Sequence, residues 1–222
     1  MNLKKEFKFN DAVNEYLDMY YSKIVKTILY FGLNNKLKFL VGEMILLLYN
    51  CLYIGDFMKK IIIIGCPGSG KSYFSKKLRD LTGYPLYHLD NIYHIEDGTH
   101  IPREEFDNTL RKIFKDKEWI IDGNYQRTIE MRLKECDTCI LLDFPTEVCI
   151  SGAEERVGKK RDDMAWFEDS LDPTFKQYII DFSKTSLPYI YELIDKYKNK
   201  VNILIFKSRE ETNKFLAEYK GE

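Results

Sequence analysis

Apolar positions along the chain alternate between two spacings, and that alternation predicts the architecture. Ile61 to Ile64 form an unbroken β-branched run, the pattern of a strand buried on both faces. Phe74 and Leu78, four apart, then mark one face of a helix that ends at Thr82-Gly83. Pro85 to Asp90 reads as a second strand ending in a carboxylate, and Asn91 to Ile101 as a polar loop. Pro102 opens a helix with Glu104 and Glu105 in its first turn and Phe106, Leu110, Ile113 and Phe114 on its buried stripe. Trp119–Asp122 is a third strand, Ile129–Lys134 a short helix, and Cys139–Asp143 a fourth strand. A helix from Pro145 to Val157 leads into a charged stretch, Gly158 to Asp172. A long helix over Pro173–Lys198, kinked at Pro188, precedes a fifth strand, Val201–Phe206, and a last helix starting near Ser208. Strands that alternate with helices in this way predict a five-stranded parallel sheet between helical layers, an α/β three-layer sandwich. Ligands of such sheets sit at the carboxyl ends of the strands, where Asp90, Asp122 and Asp143 all fall.

Residues 1–57 follow neither spacing clearly. Val13, Tyr16, Leu17 and Tyr20 mark one face of a helix within Asp11–Leu33, and Leu37–Ile54 is apolar but interrupted by Lys38, Glu43 and Asn50. That run is marginal against the roughly 20 apolar residues a bilayer span takes, and it lies too far from the terminus for a signal peptide. Three readings stand: a helical extension packed on the domain, a membrane contact through 37–54, or sequence outside the native product, the functional chain starting at Met58. For the third, the first strand begins at Met58-Lys59-Lys60-Ile61 without a linker, and the codons of Gly55-Asp56 can spell a purine-rich ribosome-binding site. The domain proper is therefore expected over 58–222.

Composition narrows the function classes. A net charge of −1, with basic residues interleaved among acidic ones, gives no basic stripe for nucleic acid. Hydrophobic residues make up 45% of the 222, enough for a sizeable core. Five cysteines, an odd number, are expected as free thiols of a cytoplasmic protein. Cys136 and Cys139 have C-x-x-C spacing but no second ligand pair, and Cys139 reads as a small buried hydrophobe. His88, His94 and His100 lack metal-ligand spacing and read as polar loop or packing residues.

The chemistry enters after the first strand. Gly65-Cys66-Pro67-Gly68-Ser69-Gly70-Lys71-Ser72 fits G-x-x-x-x-G-K-[ST], placed between a strand and a helix as that motif requires. Such a loop turns successive backbone N–H groups onto phosphate oxygens, and the helix that follows adds its positive end. Lys71 supplies a charge to the β- and γ-phosphates of ATP, and Ser72 a hydroxyl to Mg²⁺. Tyr73 opens the helix beside them. Asp122 is the candidate to hold the metal with Ser72, and Asp143 competes for that role. Asp90 is placed to orient an acceptor hydroxyl.

GCPGSGKS, HLD, WIIDGNY, LLDFP and a short charged lid together resemble the adenylate-kinase-like P-loop kinases, and among them the bacterial topology modulation (FlaR-like) proteins. The resemblance covers Met58 to about Glu218; its P-loop is widely shared, whereas HLD with DGNY is specific. It implies a nucleoside-monophosphate-kinase-like fold and ATP as donor. Adenylate kinases carry Asp-Gly-Phe-Pro-Arg after the third strand, whereas this chain has Asp122-Gly123-Asn124-Tyr125-Gln126-Arg127, without the proline and with the arginine one position later. Asn124 and Arg127 are then candidates, with Asp90 and Asp122, to meet the acceptor. Arg156, Lys160 and Arg161 are lid cations for the transferred phosphoryl group, Trp166-Phe167 a hydrophobic lid end or core, and Arg209 a partner for the adenine. The expected activity is Mg²⁺-dependent transfer of the ATP γ-phosphoryl group to a small acceptor, with nucleotide-like molecules among the candidates. A regulatory protein with slow NTP hydrolysis and a protein partner is the alternative.

Overall fold

Ile61–Ile64 are fully buried because their strand is the centre of the sheet. A computed structural model describes residues 58–95, 99–159 and 169–219. The expectations for residues 1–57 and for Lys160, Arg161, Trp166 and Phe167 lie outside the described residues. Strand β1 (Lys60–Gly65) is flanked by β3 (Trp119–Asp122) and β4 (Thr138–Leu142), with β2 (Leu86–His88) and β5 (Asn202–Phe206) at the edges. The order is β2-β3-β1-β4-β5 and every pairing is parallel. Central strands need apolar side chains on both faces, hence the continuous runs in β1, β3 and β4; edge β2 and β5 are half-buried.

Helix α1 (Lys71–Thr82) packs on β1, β2 and β3, and beside it lies the last helix, α7 (Arg209–Glu218). Phe74 of α1, Phe206 of β5 and Phe215 of α7 join these elements, with ring centroids 5.2–6.0 Å apart. A second group is α4 (Gln126–Leu133), α5 (Thr146–Glu154) and α6 (Pro173–Tyr197), where α4 and α5 both pack on α6. The Asp172 side chain caps α6 by accepting from the Phe175 amide at 2.8 Å, and the helix runs through Pro188. Helix α3 (Arg103–Ile113) buries Phe106, Leu110 and Ile113 as the periodicity predicts. No described helix is long and apolar enough to cross a membrane.

Two boundaries depart from the sequence reading. Strand β2 stops at His88, so Asp90 lies not on a strand but in the first turn of a short helix, α2 (Leu89–Tyr93). Leu89 is fully buried against Gly123, where a Cβ would come within 2.9 Å of its own Cβ; the chain folds over the end of β3 at that contact. The expected polar loop after Asp90 is correspondingly shorter, and it is tied by Ile95 N–H to Thr99 O (2.9 Å) and Ile101 N–H to Tyr93 O (2.9 Å). Helix α4 starts at Gln126 rather than Ile129, directly after Tyr125, whose φ of 35° is left-handed.

Candidate functional site

The phosphate loop leaves β1 at Gly65 and closes on itself through Ser69 N–H to Cys66 O, 3.1 Å. Gly68, at φ +83°, lies so close to α5 that a Cβ there would fall 1.9 Å from the Cys149 carbonyl oxygen. Gly152 of α5 answers it: a Cβ there would fall 2.2 Å from the Gly68 carbonyl oxygen. The loop therefore rests on α5 backbone against backbone, a contact only glycines allow. Alanine has better helix propensity than glycine by about 1 kcal/mol, so propensity alone would favour Gly152→Ala. The clash decides otherwise. Gly152→Ala is expected to weaken ATP binding at least about tenfold, because the carbonyl it displaces belongs to the phosphate cradle; titration with a fluorescent ATP analogue, with thermal unfolding alongside, measures this.

Lys71 folds back over the loop. Its Nζ donates to Gly65 O (3.0 Å) and Cys66 O (3.1 Å). Burial lowers its pKa, and Asp122 then Cys66 oppose that shift. Beside the loop is a cavity of about 640 Å³, lined among others by Gly68, Ser69, Gly70, Lys71, Ser72, Tyr73, Arg156 and Arg209. That volume suits a drug-sized or nucleotide-sized ligand. All of the predicted donor-side residues within the described part meet around it or in its loop: Gly65 and Pro67 shape the turn, and Arg156 and Arg209 reach the cavity from α5's end and α7. Arg209 Nη1 is 3.9 Å from Glu155 Oε2. Cys66 and Cys149 are buried beneath the loop, and Cys136 and Cys139 are buried too; these four are free thiols. Burial pushes Cys139 up to about 12, as expected of a packing residue.

The carboxylates separate by what already holds them. Asp143 accepts from Tyr191 Oη at 2.6 Å and pairs with Lys207 Nζ, toward β5 and α6. Asp122 is 4% exposed; its Oδ2 meets His88 Nδ1 at 2.9 Å, and its Oδ1 is buried with no hydrogen-bond partner. An orphaned carboxylate oxygen is costly unless a ligand completes it. Asp122 sits opposite Ile63 in the β1–β3 register, two residues before the phosphate loop. One carboxylate oxygen and the Ser72 hydroxyl fit Mg²⁺, which keeps waters and phosphate oxygens as its other ligands. The sequence reads His88 as a polar loop or packing residue; its pairing with Asp122 follows from register, since His88 is the β2 residue opposite Asp122.

The loop after β3 carries the acceptor-side candidates. Asn124 Oδ1 accepts from the Gly65 amide at 3.0 Å, which ties this loop to the phosphate loop. Tyr125 Oη donates to Asp90 Oδ1 at 2.8 Å; burial, then the neighbouring Asp90 carboxylate, raises its pKa. Arg127 is gripped by Asp107, Nη1 to Oδ2 at 2.8 Å and Nη2 to Oδ1 at 2.6 Å, and this hydrogen-bonded pair lowers the Asp107 pKa. Beneath the loop Arg132, fully buried, donates from Nη1 to Gly123 O (2.8 Å), from Nε to Thr128 O (3.3 Å) and from Nη2 to Asn124 O. Burial brings its pKa down to about 10. Tyr93, Arg103, Phe106, Tyr125, Arg127 and Thr128 line a second cavity of about 270 Å³.

No family model matches the chain, and no curated protein sequence matches it either. Among solved structures, the chain is similar to shikimate kinase from Acinetobacter baumannii in complex with shikimate, with a TM-score of 0.48 and 17% sequence identity over 72% of this chain and 91% of that one.

Proposed function

We propose that this protein is a Mg²⁺- and ATP-dependent phosphotransferase acting on a small acceptor, akin to the topology modulation group of adenylate-kinase-like enzymes and working in the cytoplasm. One observation carries the reading: the three motifs lock onto one another. His88 and Asp90 of HLD pair with Asp122 and Tyr125 of WIIDGNY, and Asn124 of the latter holds Gly65 of the phosphate loop. A nucleotide-binding protein without an acceptor has no need of a buried carboxylate, Asp122, and a half-buried one, Asp90, each fixed by a hydrogen bond in loops tied to the phosphate cradle.

In this reading the loop amides and Lys71 hold the β- and γ-phosphates. Mg²⁺, when bound at Ser72 and Asp122 Oδ1, would neutralise charge on the transferred group. His88 keeps the Asp122 carboxylate turned by occupying its other oxygen. Arg156 meets the developing charge, and Arg209 the base. Asp90, held at one oxygen by Tyr125, takes the proton of the acceptor hydroxyl as the new P–O bond forms.

The test is ADP formation from Mg·ATP across a panel of acceptors. A phosphotransferase shows acceptor-stimulated turnover; slow, acceptor-independent hydrolysis with nucleotide-dependent capture of a protein would establish the regulatory alternative instead. Asp90→Asn is expected to cut acceptor-stimulated turnover by about 10²–10⁴-fold, the usual share of general-base catalysis, with ATP affinity within about threefold. Equal losses of binding and transfer would assign Asp90 to loop structure alone.

A further inference from the structure

We propose that Cys66 and Cys149 form a reversible disulfide that distorts the phosphate loop, so that a peroxide switches ATP binding off. The inference adds a control to the phosphotransferase reading and rests on it, since the loop must bind ATP for the switch to act. Cys66 is the second residue of the loop, and Cys149 lies on α5. Loop and helix touch at this point: the Cys149 carbonyl oxygen is the atom that a Cβ on Gly68 would meet at 1.9 Å. Both side chains turn into the core, where Cys66 Sγ is 3.8 Å from Ile179 O of α6 and Cys149 Sγ is 3.8 Å from Phe144 O. The two free thiols hydrogen-bond to each other there. Disulfides of cytoplasmic proteins, where they occur, are mostly transient and redox-sensing.

The thiolate is the reactive form of cysteine. The hydrogen bond from Cys66 lowers the Cys149 pKa, and the Lys71 charge lowers it further against burial. That same bond, then burial, raises the Cys66 pKa. Cys149 is thus the attacking sulfur and Cys66 the resolving one. Both are buried, so the oxidant is of water size, hydrogen peroxide, and its entry is gated by motion of the loop. The Cys149 thiolate attacks one peroxide oxygen, the O–O bond breaks, and hydroxide takes a proton and leaves as water. The Cys66 sulfur, giving up its proton, then attacks the sulfenic sulfur. The S–O bond breaks, a second water leaves, and the S–S bond forms. The two thiols lose two electrons, which the peroxide takes up; a dithiol reverses the change by exchange. A covalent S–S bond is much shorter than a hydrogen bond between thiols, so Cys66 is drawn toward α5. The loop cannot follow as a body, because Gly68 and Gly152 already meet with no room for a Cβ. It must deform at Cys66, whose carbonyl accepts from Ser69 N–H (3.1 Å) and from Lys71 Nζ (3.1 Å). The bond that closes the cradle and the seat of its lysine therefore shift together.

The experiment treats the full chain with hydrogen peroxide, maps its peptides by mass spectrometry without reduction, and titrates the same samples with a fluorescent ATP analogue. Wild type should yield a peptide pair joined through Cys66 and Cys149. Its affinity for the analogue should fall at least about tenfold on oxidation and return with dithiothreitol. Bound ATP should slow formation of the link, because it seats the loop. Cys149→Ala and Cys149→Ser, each compared with its own reduced form, should keep their affinity through the same treatment. No link between Cys66 and Cys149, a linked protein that binds as tightly as the reduced one, or an equal loss in both Cys149 variants would overturn the switch. The reduced samples keep the two readings apart. If reduced protein binds the analogue and no link forms, the switch alone falls. If reduced protein does not bind it at all, the phosphotransferase reading falls and takes the switch with it.

Discussion

Lys71→Ala is expected to lower ATP turnover by at least about 10²-fold, the scale for losing one preorganised charge that meets the transferred group. The fold should survive. Lys71 is half-buried at the start of α1, and its ammonium holds only the Gly65 and Cys66 carbonyls, both on the loop itself. Those two bonds are worth roughly 1–3 kcal/mol together, and the core strands do not depend on them. Thermal unfolding should therefore show a modest drop beside a near-complete loss of turnover. Retained ATP binding and turnover in a folded Lys71→Ala protein would remove the basis for a phosphate site. Lys71→Arg should not rescue, since a planar fork does not fit where a compact ammonium turns between two carbonyls.

The largest effect on stability is expected at Arg132. It is a buried cation whose hydrogen-bond partners are carbonyls: Gly123, Asn124 and Thr128. Arg132→Met leaves those oxygens without their donor and is expected to cost about 3–5 kcal/mol, the range for disrupting a buried charged network. Arg132→Lys should recover little, because one ammonium cannot span three acceptors set by a fork. Urea unfolding followed by circular dichroism measures both. The residue's own charge sets the sign of the pH response. Burial holds its folded pKa near 10, below the ordinary arginine value. The folded state thus prefers the neutral form more than the unfolded chain does, so this group's contribution to stability rises with pH between about 10 and 12.5. A wild-type unfolding midpoint in urea that is insensitive to Arg132→Met would show that the loop is held by other contacts.

Much of this was legible in the sequence because it depends on short-range pattern. The Ile61–Ile64 run, the glycine spacing of the phosphate loop and the Pro102 and Pro145 helix starts each encode their own geometry. Side-chain pairings across the sheet were not legible. His88 meets Asp122 because β2 and β3 align at those residues, 34 positions apart in the chain, and no local signal announces register. The sequence carries the second strand through to Asp90 because no glycine or proline interrupts Leu86 to Asp90; burial of Leu89 over Gly123 ends the strand earlier. Arg127 read as open to an acceptor because Asp107, its partner, lies 20 residues back on another helix. Gly152 carried no motif at all, and its role follows from where α5 passes the phosphate loop.

Tyr125 has a consequence of its own. It is the one non-glycine residue with positive φ among the described residues, and such a backbone costs on the order of 1 kcal/mol or more. Glycine at 125 would relax that backbone but remove the ring that faces Tyr93 and Phe106 and the hydroxyl that holds Asp90. Local preference and site geometry are thus in conflict at one residue, a point of frustration in an otherwise consistent chain. The Arg132 clamp lies directly beneath that point, holding the carbonyls of the two residues before it. The strained turn and its clamp therefore behave as one unit, so that a gain in local comfort at Tyr125 would be a loss of the surface it exists to present.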